Sequence, residues 1–386
     1  MPEQRTPAPA PSVVELLASY RPGDTFFSTG AGAGALHGTG VLGVAEEVHE
    51  VDSLLRSAGP EGVVMGAIPF DGRRSARFLL PRTVRHAPAP PRGRAPGLRR
   101  RPLPGEWGST PVPAPDEHRA SIERAIALTA GDGGPDRVVS ARGLRLHSTS
   151  AVEPSTALHN LLWRDPGEPV FAIDVPGPGA EDRTLLGTGP ELLVSKRGSR
   201  VASQPLSGSV PRSADPTKDY RNRERLRASA GDRREHAVMV DAAAESLEPY
   251  CRTLAVPKRP ELVGTATMWH LSTRLEGTLL DADVPAHLLA AALRPAPAVC
   301  GSPSRPASGA IGAPEHFDRG FHSGAVGYST ARGDGEWVVA ARCAEVFHSR
   351  VDAFVGGGVM SGSDPGAVLS ETTDRMRALL FALGVR

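Results

Sequence analysis

The chain has 386 residues, 40% of them hydrophobic, which is enough for one large domain or two ordinary ones and speaks against disorder. Its 44 basic and 43 acidic residues leave a formal net charge of +1, so no global field gathers nucleic acid or an anionic membrane, and any anion site must be local. Cys251, Cys300 and Cys343 lack CxxC spacing, which argues against a zinc site or a disulfide scaffold and points to a reducing, cytoplasmic setting.

The N-terminus carries Pro and charge where a secretory signal would carry an apolar core, and no stretch has the apolar length to span a bilayer. Residues 1–11 read as a flexible terminus and 12–386 as the folded domain. The first organised piece is strand-rich, through TFFSTG and GVVMGAIPFD. A Pro- and Arg-rich stretch at 86–115 then predicts an irregular crossing, because proline removes backbone donors and fixes φ. Its arginines are read as a solvated loop, with an acidic partner as the rival reading.

From Asp116, Ile122, Ala125, Ile126 and Leu128 recur near helical spacing, and Gly131 supplies a stop. Short β-rich runs follow: DRVVSARGLRL, PVFAIDV, RTLLGTGPELLVSK and SRVASQPLSGSV. With Gly and Pro between them they predict a largely antiparallel sheet. One long helical tract is expected from about Tyr220 to Cys251. The last third returns to strands (GEWVVAARCAEV, RVDAFVGGGV) before a C-terminal helix from Pro365 to Leu383. No repeat period is present, and the class is α+β.

The segments LLGTGPELLVSK, SQPLSGSVPR, DRREHAVMVDAAAESL and TMWHLSTRLEG are individually weak signals. In this order, followed by RPAPAVCGSP, FDRGFHSGAVGY, GDGEWVVAARCAEV, FVGGGV and SDPGAVLSETTDRM, they resemble the chorismate-utilising enzymes across nearly the whole chain. That family includes isochorismate synthases, salicylate synthases and anthranilate synthase component I. GAIPFD resembles the isochorismate synthase branch in particular, and no glutaminase segment is seen. The resemblance implies a single large layered domain, expected as a monomer, and Mg²⁺-dependent conversion of chorismate to isochorismate, with loss of the ring 4-hydroxyl and addition of water at C2. Siderophore, menaquinone and specialised-metabolite pathways all draw on that product.

Such a reaction must hold a dicarboxylate and expel a hydroxyl that leaves only when protonated. By resemblance, Glu191 is the acid, which requires a raised pKa. Glu235 and Glu371 match the two carboxylates that hold Mg²⁺ from separate helices, and Asp232 lies one helical turn before Glu235. Arg342, assisted by amides of Gly356, Gly357 and Gly358, matches the grip on the enolpyruvyl carboxylate. Ser207, Gly208 and Ser209 match the loop that meets the ring carboxylate. His270, Ala298, His322 and Arg375 complete the matched positions.

The chain departs from the pattern where the family's water-activating lysine stands: Arg137 occupies that position. A guanidinium does not give up its proton at ordinary pH and cannot serve as a base. Val368 replaces a second acid one turn before Glu371, and His322 replaces an aromatic residue. Lys196, Lys218 and Lys258 are the only lysines, so drift toward arginine is one account of Arg137. Three readings stay open: an isochorismate synthase, an enzyme with altered chorismate chemistry, and a binder without turnover.

Overall fold

The computed structural model describes residues 10–29, 34–89, 98–131, 133–164, 166–179, 181–265, 267–303, 307 and 317–385, the side chains of Pro297 and Ala298 excepted. Residues 1–9 of the expected flexible terminus and 90–97 of the expected irregular crossing lie outside this set. The fold is α+β. Among the described residues, seventeen strands are joined through antiparallel pairs into one large sheet system, and three more form a small sheet.

Alternation along the strands explains the layering. In Pro169–Pro176, Val170 and Ala172 join one core cluster with Leu158, Leu161 and Leu379 of the helices Pro154–Arg164 and Pro365–Leu383, whereas Phe171 and Ile173 join another built largely of strand residues. Gly335–Val339 does the same: Trp337 and Val339 meet Leu289 and Leu247 from helices, and Val338 faces the strand-lined cluster. Strand packs on strand inside, and helices cover the outer faces. This is why runs such as VVMGAI are buried at every position.

Trp337 is fully buried, sits edge-on to Phe78 at 6.1 Å and donates its indole N–H to Ser329. Trp337→Ala should therefore cost about 3–5 kcal/mol in urea unfolding, the range for large-to-small changes of buried aromatics. A loss below about 1 kcal/mol would show that this cluster is not a packed core.

The C-terminal helix runs Pro365–Leu383 as expected, with Asp364 capping its N-terminus and Gly384 closing it in the left-handed conformation. Two expectations are corrected. The single tract from Tyr220 to Cys251 is two helices, Pro216–Ala228 and Ala230–Leu247, because Ser229 adopts an extended ψ of 114° and its hydroxyl accepts from Asp232 N. Cys251 already begins a strand. The 86–115 stretch is only partly irregular: Trp107–Val112 pairs with Arg137–Ser148. Pro111 is tolerated there since, among the described residues, that strand has a partner on one side only.

Two features place the site. Arg350–Met360 pairs with Arg137–Ser148 over eleven residue pairs, setting Met360 opposite Arg137 and Gly358 opposite Val139. In the small sheet, Leu206–Pro211 pairs with Met268–Ser272 through a register shift between Ser207 and Val210. Gly208, at φ +57°, makes that bulge. A Cβ there would lie 2.9 Å from Leu226 Cδ1, so glycine also allows the helices to close on the loop.

Candidate active site

A cleft of about 730 Å³ opens between the small sheet, the Arg350–Met360 strand and the helices Ala230–Leu247 and Pro365–Leu383. Arg137, Glu191, Ser207, Gly208, Ser209 and Asp232 line it. So do Glu235, His270, His322, Arg342, Gly356, Gly358, Glu371 and Arg375. The sequence-derived residues are thus brought together, with two exceptions. The side chain of Ala298 lies outside the described set. Gly357 is not part of the lining: a Cβ there would point toward Thr372 and Val368 of the C-terminal helix, with Glu371 Oε2 at 3.9 Å, since successive residues of a strand alternate faces.

Glu191 follows Pro190 in the connection between Asp182–Thr188 and Leu192–Arg197, with its carbonyl accepting from Val339 N at 3.1 Å. It is 8% exposed. Burial raises its carboxyl to about 8 against the opposing pull of Arg137 and a hydrogen bond from the Leu206 backbone. At neutral pH this carboxyl keeps its proton.

Arginines engage the two carboxylates proposed from the resemblance as metal ligands. Arg137 Nε donates to Glu235 Oε1 at 2.7 Å. Arg375 Nη2 donates to Glu371 Oε1 at 2.6 Å and to Ser209 Oγ at 3.0 Å, and Nη1 to the Gly356 carbonyl. A Cβ on Gly358 would lie 2.6 Å from Arg137 Nη2 and 3.0 Å from Glu235 Oε1, so a side chain there would collide with this ion pair. Both carboxylates keep partial access to the cleft, at 21% and 31% side-chain exposure. Val368 is buried against the helix-facing wall.

His270 Nδ1 meets the Gly208 carbonyl at 3.0 Å, and a carbonyl only accepts, so Nδ1 carries the proton. Nε2 then accepts from Arg342 Nη2 at 3.2 Å. His270 thereby couples the serine loop to Arg342, which also lies 3.6 Å from Glu168. Burial, with Arg342 and Arg375 nearby, holds His270 down at about 3, and burial beside Arg319 does the same to His322. His322 stacks on Phe354 with ring centroids 5.8 Å apart.

The sequence reading missed His236, Asp364 and Asp374. Asp364 lines the cleft from the N-cap of the C-terminal helix, and Asp374 lines it from three residues beyond Glu371. His236 is buried behind Ser207, and its only sequence signal is its place beside Glu235.

For Mg²⁺, hard carboxylate oxygens in one cleft are a suitable donor set. Among the described residues no three His, Cys, Asp or Glu side chains gather around one point, so protein ligands alone do not enclose a cation. No helix among the described residues is long and apolar enough to cross a membrane.

The family profile described as chorismate binding enzyme matches residues 100–384. The isochorismate synthase DhbC of Bacillus subtilis is 42% identical over 337 residues, 86% of this chain and 84% of that protein. The vibriobactin-specific isochorismate synthase of Vibrio cholerae is 36% identical over 345 residues, covering 88% and 85%. A crystal structure from Bacillus anthracis, assigned as a 2,3-dihydroxybenzoate-specific isochorismate synthase, superposes with a TM-score of 0.88 at 35% identity, covering 97% of this chain and 99% of that one.

Proposed function

This chain belongs to the chorismate-binding enzymes, and from that premise we propose that it converts chorismate to isochorismate in the cytoplasm. The observation that carries the reading is Glu191: a buried carboxyl that stays protonated to about pH 8, in the same cleft as paired carboxylates and carboxylate-binding arginines. Glu191 gives its proton to the departing 4-hydroxyl, which leaves as water. Arg342, held by His270, grips the enolpyruvyl carboxylate, with Gly356 and Gly358 allowing close approach. Ser207, Ser209 and Arg375 meet the ring carboxylate.

Glu235 and Glu371 would hold Mg²⁺, with Asp232 on the outer side, and the ion would supply charge neutralisation for the ring carboxylate. Each carboxylate is already paired with an arginine, so cation and arginine compete for it. Glu235→Gln and Glu371→Gln should each weaken Mg²⁺-dependent chorismate binding by at least tenfold in calorimetry. Undiminished metal-dependent binding in both variants would remove them as ligands.

The attacking water must also lose a proton, and the nearest counterparts of the family's base do not take it readily. Arg137 cannot accept it, both nitrogens of His270 are engaged, and His322 is held at about 3. Native turnover is therefore expected to be slow. The same Arg137–Glu235 pair favours a second reading, in which the guanidinium serves a different chorismate reaction. Incubation with chorismate and Mg²⁺, with products identified by mass and NMR, decides: isochorismate supports the first reading, another ring product the second, and binding without product neither.

A further inference from the structure

Ser207 reaches the cleft from a bulge, but the direction of its hydroxyl proton is settled behind it. His236, 2% exposed on the helix Ala230–Leu247, places Nδ1 2.7 Å from Ser207 Oγ and Nε2 2.8 Å from Thr273 Oγ1. A neutral imidazole between two hydroxyls has two tautomers, and they are not equivalent for Ser207. Where Nδ1 carries the proton it donates to Ser207 Oγ, and the Ser207 proton is free to point into the cleft. Where Nε2 carries it, Nδ1 accepts from Ser207, whose proton is then consumed behind the site.

Thr273 decides between them. It is 3% exposed, and among the described residues its hydroxyl has no partner other than His236. If Nε2 donated to Thr273, the threonine proton would be buried without an acceptor, which costs about 1–3 kcal/mol. Donation from Thr273 to Nε2 satisfies both groups, and it fixes the proton on Nδ1.

We propose that Thr273 and His236 are positioning residues that hold Ser207 as a hydrogen-bond donor toward an anionic carboxylate in the cleft. Neither touches the ligand; both act through Ser207. The identity of that carboxylate as the ring carboxylate of chorismate rests on the function proposed above.

The test uses the full chain with ¹⁵N-labelled histidine. In the ligand-free protein the His236 ring should carry its proton on Nδ1. Thr273→Val, nearly the same shape but without the donor, should populate the Nε2–H form and raise both the Kd and the KM for chorismate about tenfold. The kcat should stay within about twofold, because the contact is made equally in ground and transition states. Ser207→Ala should show the same loss, and the double variant no more than either single one. Thr273→Ser, which restores the hydroxyl, should recover both the tautomer and the affinity. An Nε2–H ring in the native protein overturns the inference, as do additive losses in the double variant. A native protein that binds chorismate without converting it would end the isochorismate reading and leave the tautomer and Kd arms to stand; failure to bind chorismate ends both.

Discussion

Glu191→Gln should bind chorismate about as tightly as the native chain and lose turnover by about 10²–10⁴-fold, the range for removing a positioned general acid. Glutamine keeps the shape and the hydrogen-bonding of a protonated carboxyl but has no proton to give, so the loss falls in kcat rather than in binding. The pH profile carries the same signature. Burial raises the Glu191 carboxyl from 4.5 to about 8, so the acid form persists through neutrality and native activity should fall as pH rises past about 8. A bound cation would pull that limit downward.

Stability gives an independent check, with a definite sign. Below 4.5 the carboxyl is protonated in folded and unfolded chains alike and contributes no difference. Between 4.5 and about 8 the unfolded chain ionises while the folded chain keeps its proton. The Glu191 contribution to folding therefore falls by about 1.4 kcal/mol per pH unit across that window and levels off above it, with buried Glu336, raised to about 7, acting in the same direction and the buried histidines in the opposite one. Glu191→Gln should remove this share of the pH dependence and melt at a higher temperature than the native protein at pH 8. A variant with full turnover, or with the native slope intact, would show that Glu191 is not the buried acid.

How much of this was readable beforehand depends on whether the signal was local. The helices Pro115–Ala130 and Pro365–Leu383 begin with proline in the first turn and end at Gly131 and Gly384, and both were legible in sequence. Trp107–Val112 was hidden by its proline, which reads as a breaker unless one knows that the strand lies at an edge. The break at Ser229 was hidden for another reason: serine followed by Asp232 is an N-cap, but inside a polar, Arg-rich run it also reads as one more exposed turn.

The site divides in the same way. Residue types came from motifs, but their pairings did not. Arg137 meets Glu235 across 98 residues of sequence, and His236 meets Ser207 across 29 and Thr273 across 37. No local periodicity encodes such contacts. That the three glycines lie in a paired strand, with Gly357 outside the cleft lining, was equally hidden, because three glycines in a row read as a flexible anion nest.

Arg137→Lys should raise isochorismate formation by about 10²-fold or more if the native reaction is the proposed one, since it places a titratable amine where a guanidinium cannot act as a base. The increase should grow with pH through the amine's own titration, which burial and neighbouring cations draw toward neutrality. The Arg137–Glu235 ion pair adds a second consequence that turnover alone would not reveal. The guanidinium holds Glu235 Oε1 at 2.7 Å with a planar set of donors, and a lysine offers one compact, more mobile charge. Glu235 should be released more readily, and Mg²⁺ measured by calorimetry without substrate should bind more tightly to Arg137→Lys. If Arg137 instead clamps the substrate of a redirected reaction, the same substitution lowers the native product and adds little isochorismate, because lysine does not reproduce a planar two-point grip on a carboxylate. Tighter Mg²⁺ with no gain in isochorismate would separate the two roles of this position: it would confirm that the arginine competes with the cation for Glu235, and it would place the missing base elsewhere in the cleft.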